Sequence, residues 1–111
     1  VFRNWPGDRD SVAQDWQDWC NRGFLDFVCP MDYTANDGQF AHGTRQQLAG
    51  CGKVPCYPGI GAWVLSPDRV IGQIRLAREA GARGFTLFNY DVTAANELVP
   101  RLGQGATRKE R

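Results

Sequence analysis

Two aspartates in this chain follow apolar, β-favouring runs, at the positions where a parallel sheet carries its chemistry. Asp32 comes soon after residues 25–30, and Asp91 comes soon after residues 84–89. Two carboxyl groups that face each other across a bond can cleave it, one acting as acid and the other as nucleophile or base. With one further strand between the two runs, the two backbones would lie roughly 10 Å apart. Asp32 and Asp91 are therefore the candidate catalytic pair.

Aromatic and polar side chains accompany the aspartates at the predicted strand ends. The set comprises Met31, Tyr33, Trp63, Asn89 and Tyr90. Aromatic rings stack on the faces of sugars, and short polar groups hydrogen-bond sugar hydroxyls. These five residues are predicted to bind a carbohydrate. The alternative for each is that it fills the interior of the sheet or caps the next helix, as Asp91 also could.

Few further carboxylates are available as catalytic groups. Glu79 and Glu97 fall on predicted helices and Glu110 falls in the tail, so no glutamate is expected at a strand end. Alternation along a strand also places Asp32 on the opposite face from Met31 and Tyr33. We therefore expect the main acid or base of an enzyme of this kind to lie outside these 111 residues.

The strands that position these residues recur at a regular spacing. Three short apolar runs, at residues 25–30, 55–60 and 84–89, start about 30 residues apart, and helix-like segments fill the gaps. This spacing is typical of successive βα units. The sequence therefore predicts three central parallel strands at these positions, with helices packed outside them.

The first two helices carry recognisable signals. Ser11 and Gln14 form a capping-box pattern ahead of an apolar stripe, and Gly23 supplies a stop, which predicts one helix between them. A second helical pattern runs through residues 40–48 and ends near Gly50.

The sequence signals for the two later helices differ in how clearly they predict a helix. Ser66 as N-cap and Pro67 at the first helical position predict a helix that closes at Gly81. Residues 93–102 form a weaker helical pattern, because Pro100 falls inside it and should break or kink it.

Composition excludes several classes of protein. The chain has 42% hydrophobic residues and a net charge of +1, with no basic footprint for nucleic acid or an anionic membrane. Its four cysteines, Cys20, Cys29, Cys51 and Cys56, lack paired zinc-ligand spacing, and no cofactor or metal is predicted. Cys51 and Cys56 flank a turn and could form a disulfide. The favoured prediction is four free thiols, with Cys20 and Cys29 in the core.

Several stretches together resemble the glycosyl-hydrolase-10-like family of (β/α)₈ barrels. They are Asp15-Trp16, Trp19, Gly23, the run 26–34 with its Pro-Met-Asp-Tyr core, Gly59-Ile60-Gly61-Ala62 and residues 84–90. The resemblance implies an α/β fold that is the C-terminal half of a TIM barrel. Residues 1–4 would then end the fifth strand, residues 1–103 would form the half-barrel, and residues 104–111 would be a flexible tail. The alternative fold is a small open parallel α/β sheet.

The same resemblance implies part of a glycoside hydrolase acting on a carbohydrate, with the main catalytic carboxylates in a missing N-terminal half. The isolated chain would then be inactive. The alternative function is a non-catalytic carbohydrate-binding or assembly module, and small-molecule metabolism on a generic α/β scaffold stays open. The predicted partners are a carbohydrate and either a second copy of the chain or the missing half. Nucleic acid and membrane are not expected partners.

Overall fold

The computed structural model describes residues 1–108, which form a small α/β domain with a two-stranded parallel sheet and five α-helices. In chain order the elements are α1 (Gly7–Val12), α2 (Trp16–Asn21), α3 (Asp37–Cys51), β1 (Gly59–Gly61), α4 (Pro67–Glu79), β2 (Thr86–Phe88), a π-helical turn (Ala94–Leu98) and α5 (Val99–Gln104). The predicted tail lies partly outside the described residues, since it includes residues 109–111.

The sheet is parallel, as predicted. Ile60 of β1 pairs with Leu87 of β2, and Val28 forms a parallel bridge with Cys56 just before β1. The prediction was wrong in length, because β1 and β2 have three residues each and residues 25–30 contribute only that bridge. Pro30 lies at the end of the first run, and Pro55 and Pro58 lie in the second; a proline cannot donate a ladder hydrogen bond.

The amino-terminal residue continues this parallel arrangement on the far side of the Val28 segment. The Val1 nitrogen donates to the Cys29 carbonyl at 3.2 Å, and the Met31 N–H donates to the Val1 carbonyl at 3.0 Å. One residue bonded to the two neighbours of Pro30 is the hydrogen-bond pattern of a parallel ladder. Four segments therefore lie side by side: residues 1–2, residues 28–30, β1 and β2.

The helices cover one face of the sheet. Side chains on that face are buried, among them Val28, Cys56 and Ile60, which is fully buried. Ile60 packs with residues of α4 and the last helical region in the main core cluster, and Val28 packs with α2 in a second cluster. The opposite face of the sheet carries Phe27 and Phe88, which are more than half exposed.

The first predicted helix was wrong in its boundaries. Two short helices replace it, and they are separated by Ala13 in the left-handed region at φ 56°. Ser11 lies in the last turn of α1, where its hydroxyl donates to the Gly7 carbonyl, so it is not an N-cap. The Gln14 side chain instead accepts a hydrogen bond from the Phe2 N–H. Gly23, at φ 71°, ends the second helix as predicted.

The later helices follow their sequence signals. The Ser66 hydroxyl accepts from the Arg69 N–H at the start of α4, and Gly81 follows its end at φ 104°. Asn36 caps α3 in the same way. Pro100 sits in the first turn of α5, directly after a π-helical turn in which the Val99 N–H reaches back to the Ala94 carbonyl. Pro100 therefore does not end the helix. A wider turn precedes it instead, and this turn accommodates the missing N–H of the proline.

The four cysteines are free thiols. Cys20, Cys51 and Cys56 are buried together in the second core cluster, whereas Cys29 is half-buried, so its predicted place in the core was wrong. Burial raises the pKa of the Cys20 thiol to about 12, which keeps it protonated at neutral pH. No helix of residues 1–108 is long and apolar enough to span a membrane.

Candidate functional site

Three aromatic rings meet at the carboxyl ends of the parallel segments. Tyr33 follows the Val28 segment, Trp63 follows β1, and Phe88 ends β2. The Tyr33 ring stacks on the Phe88 ring, with centroids 5.5 Å apart and an interplanar angle of 22°. Trp63 meets both rings edge-on, at 5.0 Å from Tyr33 and 5.7 Å from Phe88. These separations are favourable for aromatic pairs, and we call the three residues the aromatic cluster.

Two glycines of β1 make room for this cluster. A Cβ atom on Gly59 would lie 2.5 Å from the Pro30 carbonyl oxygen and 3.0 Å from Cε1 of Tyr33. A Cβ atom on Gly61 would lie 3.2 Å from the Trp63 ring and 3.3 Å from the Tyr33 Cβ. The close approach of neighbouring backbone and rings therefore requires glycine at Gly59 and favours it at Gly61.

A cavity of about 350 Å³ adjoins the cluster, with Trp63 in its wall. Its size falls in the range of small-molecule sites. It lies between the start of α4 and the residues that follow β2. The residues around it are Ala62, Trp63, Leu65, Ser66, Pro67, Asn89, Asp91, Thr93, Ala94, Glu97 and Leu98. The cavity thus combines an aromatic wall with amide, hydroxyl and carboxylate groups, which suits a sugar.

Asp91 and Glu97 are the two carboxylates of this cavity. Asp91 Oδ1 accepts a hydrogen bond from the Ala94 N–H at 2.8 Å, so Asp91 caps the last helical region, as the alternative reading of the sequence expected. Glu97 lies in the π-helical turn. Glu97 lies on a helical element, as the sequence predicts, and the wide turn nevertheless places it in the wall of the cavity.

Asp32 lies on the other face of the sheet, as strand alternation predicts. Its carboxylate is 1% exposed and accepts a hydrogen bond from Gln47 Nε2 of α3 at 2.5 Å. The second carboxylate oxygen has no hydrogen-bond partner among the described residues. Asp32 therefore contacts α3, Asp91 lies at the cavity, and the structure does not bring the candidate catalytic pair together.

The surroundings of Asp32 perturb its ionisation. Burial raises the pKa of the carboxyl to about 6, although the hydrogen bond from Gln47 and the charge of Arg3 act in the opposite direction. The charge of Asp8 reinforces the rise. A buried carboxylate oxygen without a hydrogen-bond partner favours the neutral acid in the same way.

The predicted sugar-binding residues divide into two groups. Trp63 and Asn89 line the cavity, and Tyr33 belongs to the aromatic cluster that adjoins it. Met31 is half-buried, with its N–H bonded to the amino-terminal segment, and Tyr90 is 77% exposed outside both the cluster and the cavity wall. The structure therefore brings three of the five together.

Sequence reasoning missed Phe88 and Glu97. Phe88 pairs with Gly61 in the sheet register, and a large residue opposite a glycine at a strand end could have indicated it. Glu97 gave no comparable signal, because its position depends on the π-helical turn.

A second cavity, of about 370 Å³, lies at the opposite end of the sheet. It is lined by Leu48, Gly52, Lys53, Val54, Pro55, Cys56, Gly81 and Arg83, which precede β1 and β2. Parallel α/β folds place their binding sites at the carboxyl ends of the strands. The cavity beside Trp63 is therefore the better candidate. Within residues 1–108 no group of three or more His, Cys, Asp or Glu residues is arranged to hold a metal ion.

Comparison with known proteins adds no relative: no protein family, no curated protein and no solved structure matches this chain.

Proposed function

We propose that this chain binds a carbohydrate at the carboxyl ends of its parallel segments. Residue patterns that resemble glycosyl-hydrolase-10-like barrels support the proposal, in which the chain supplies the sugar-facing half of such a (β/α)₈ barrel. The alternative, a non-catalytic binding module, uses the same surface.

The observation that carries the proposal is the convergence of three rings beside a polar cavity. Trp63 and Phe88 are each 52% exposed, although large aromatic side chains are usually buried. Trp63 also forms part of the cavity wall, together with Asn89 and Asp91. A sugar stacked on an exposed ring could reach these polar groups with its hydroxyls.

Binding has more support than cleavage. Hydrolysis needs two carboxyl groups across the scissile bond. Of the two predicted catalytic residues, Asp32 faces α3 and one Asp91 oxygen is engaged as a helix cap. Asp91 and Glu97 are the carboxylates that face the cavity. If the chain takes part in hydrolysis, we propose these two as its contribution.

Replacement of Trp63 by alanine tests the proposal. Titration calorimetry against oligosaccharides of glucose, xylose and N-acetylglucosamine should find one that binds, and Trp63→Ala should weaken that binding by about 1–2 kcal/mol through lost stacking. The melting temperature should hardly change, since the side chain is half exposed.

Phe24→Ala is the matched control. Phe24 is an aromatic residue, 66% exposed, that lies outside the cluster and the cavity wall, and its loss should leave binding unchanged. Equal binding by wild type and Trp63→Ala, or a large loss of stability in Trp63→Ala, would assign the Trp63 ring to packing and remove the basis of the proposal.

A further inference from the structure

Tyr33 is the member of the aromatic cluster that lies furthest along the chain from a helix or strand. Phe88 ends β2 and Trp63 comes two residues after β1, whereas Tyr33 lies in an irregular loop, residues 31–36, ahead of α3. Within residues 1–108 the Tyr33 N–H and carbonyl form no backbone hydrogen bond. The position of the ring therefore depends on what holds the residues on either side of it.

A buried glutamine of α4 holds the residue after Tyr33. Gln73 Nε2 donates to the Thr34 carbonyl at 2.9 Å and to Asp37 Oδ1 at 3.2 Å. Arg69, one turn earlier on the same helix, also donates to a carbonyl of this loop. The first turns of α4 therefore fix the loop on its carboxyl side.

A second buried glutamine, on α3, holds the residue before Tyr33. Gln47 Nε2 donates to Asp32 Oδ1 at 2.5 Å and to the Arg3 carbonyl at 3.0 Å. Asp32 and Thr34 are thus each bonded to a different helix, one on each side of the ring.

Both glutamines are costly residues for the interior of the fold. Gln47 is 1% exposed and Gln73 0%, and the amide oxygen of each has no hydrogen-bond partner in the described part of the chain. A buried acceptor without a partner lowers stability, whereas a methionine in place of Gln73 would bury only apolar atoms. Polar groups that a fold keeps at a cost in stability are typical of residues that serve a site.

We propose that Gln47 and Gln73 are positioning residues, which hold the loop on either side of Tyr33 so that its ring stays stacked on Phe88 beside the cavity. A ring that is ordered before the sugar arrives loses less conformational freedom on binding, which raises the affinity. The inference rests on the proposed carbohydrate binding, whereas the order of the Tyr33 ring can be measured without any sugar.

Replacement of Gln73 by methionine tests the inference. Methionine is similar in length and has neither the amide donor nor the unpartnered oxygen. The lost hydrogen bonds and the removed burial cost offset each other, so the melting temperature should stay close to that of the wild type. In nuclear magnetic resonance spectra without sugar, the Overhauser contacts between the Tyr33 and Phe88 rings should weaken, because the loop is no longer held. The dissociation constant of the best-binding oligosaccharide should rise roughly 2–10-fold, which corresponds to ordering one side chain on binding.

Thr44→Val is the matched control. Thr44 Oγ1 on α3 is also buried without a hydrogen-bond partner, so it makes no hydrogen bond to the loop. Its removal should leave both the Overhauser contacts and the sugar affinity unchanged. Gln73→Asn is the second variant, since it keeps the amide but is one methylene too short for its bonds. It should show the same loss of Tyr33 order, and it replaces Gln73→Met if that protein does not fold.

Unchanged Tyr33 contacts and unchanged sugar affinity in both Gln73 variants would overturn the inference. A large fall in melting temperature with unchanged affinity would also overturn it, because Gln73 would then serve packing alone. If no oligosaccharide binds the wild type, the proposed function fails. The Tyr33 contacts measured without sugar then still decide whether Gln73 positions the ring.

Discussion

At the scale of single residues, Asp32 is unusual because it is an acid buried where no positive group pairs with it directly. The pKa of about 6 means that the folded chain holds a proton which the unfolded chain, with a pKa near 3.8, has lost. Between these two values the folded state binds more protons than the unfolded state. The free energy of unfolding therefore falls as pH rises through this window.

Replacement of Asp32 by asparagine should remove this dependence. Asparagine resembles the neutral acid, so Asp32→Asn should be more stable than the wild type at about pH 7.5 by on the order of 2–3 kcal/mol. The two proteins should be nearly equal at about pH 4. Urea unfolding at both pH values measures the difference. A gap that is the same at both pH values would show that Asp32 ionises in the fold as it does in water.

At the scale of elements, prolines and glycines shape the sheet more than apolar content does. The apolar runs indicated three strands, and their parallel order is confirmed. The lengths of the first two could not be predicted from apolar character, because Pro30 ends the first run and Pro55 and Pro58 lie in the second, where they remove ladder donors. Ser66 with Pro67 fixed the start of α4 correctly. Ser11 did not mark a helix start because Ala13 interrupts the predicted helix in a left-handed conformation, which an alanine in the sequence does not indicate.

Gly59 allows a test of this close packing. In Gly59→Ala the new Cβ would lie 2.5 Å from the Pro30 carbonyl oxygen, so backbone must shift, at a cost of about 1–3 kcal/mol in unfolding free energy. Sugar binding should weaken as well, because Tyr33 lies 3.0 Å from the same point.

Gly72→Ala is the control for this change. Gly72 lies inside α4, and beyond its chain neighbours and the backbone of its own helix no atom lies within 4 Å of an added Cβ, so alanine should stabilise the helix by about 0.5–1 kcal/mol. Chemical denaturation of both variants distinguishes the two effects. Equal stability of Gly59→Ala and wild type would show that the strands do not need this close contact.

At the scale of the whole molecule, the sequence predicted which aromatic and amide candidates lie together better than it predicted the grouping of the carboxylates. Tyr33, Trp63 and Asn89 were expected together because strand ends of a parallel sheet share one edge, which depends only on fold class. Asp32 lies on the face opposite Tyr33, as alternation along the chain predicts, and so it does not approach Asp91. Glu97 was missed because only the three-dimensional course of the chain after β2 brings it to the cavity.

The most direct test of carbohydrate binding at this edge is a nuclear magnetic resonance titration of the isotope-labelled chain with the best-binding oligosaccharide. We expect the largest shifts at the Trp63 indole N–H and the Asn89 side-chain amide, with smaller ones at the Tyr33 backbone. Signals of Lys53 and Arg83, which line the cavity at the other end of the sheet, should stay in place. Shifts concentrated at Lys53 and Arg83, with Trp63 unmoved, would contradict the proposed site.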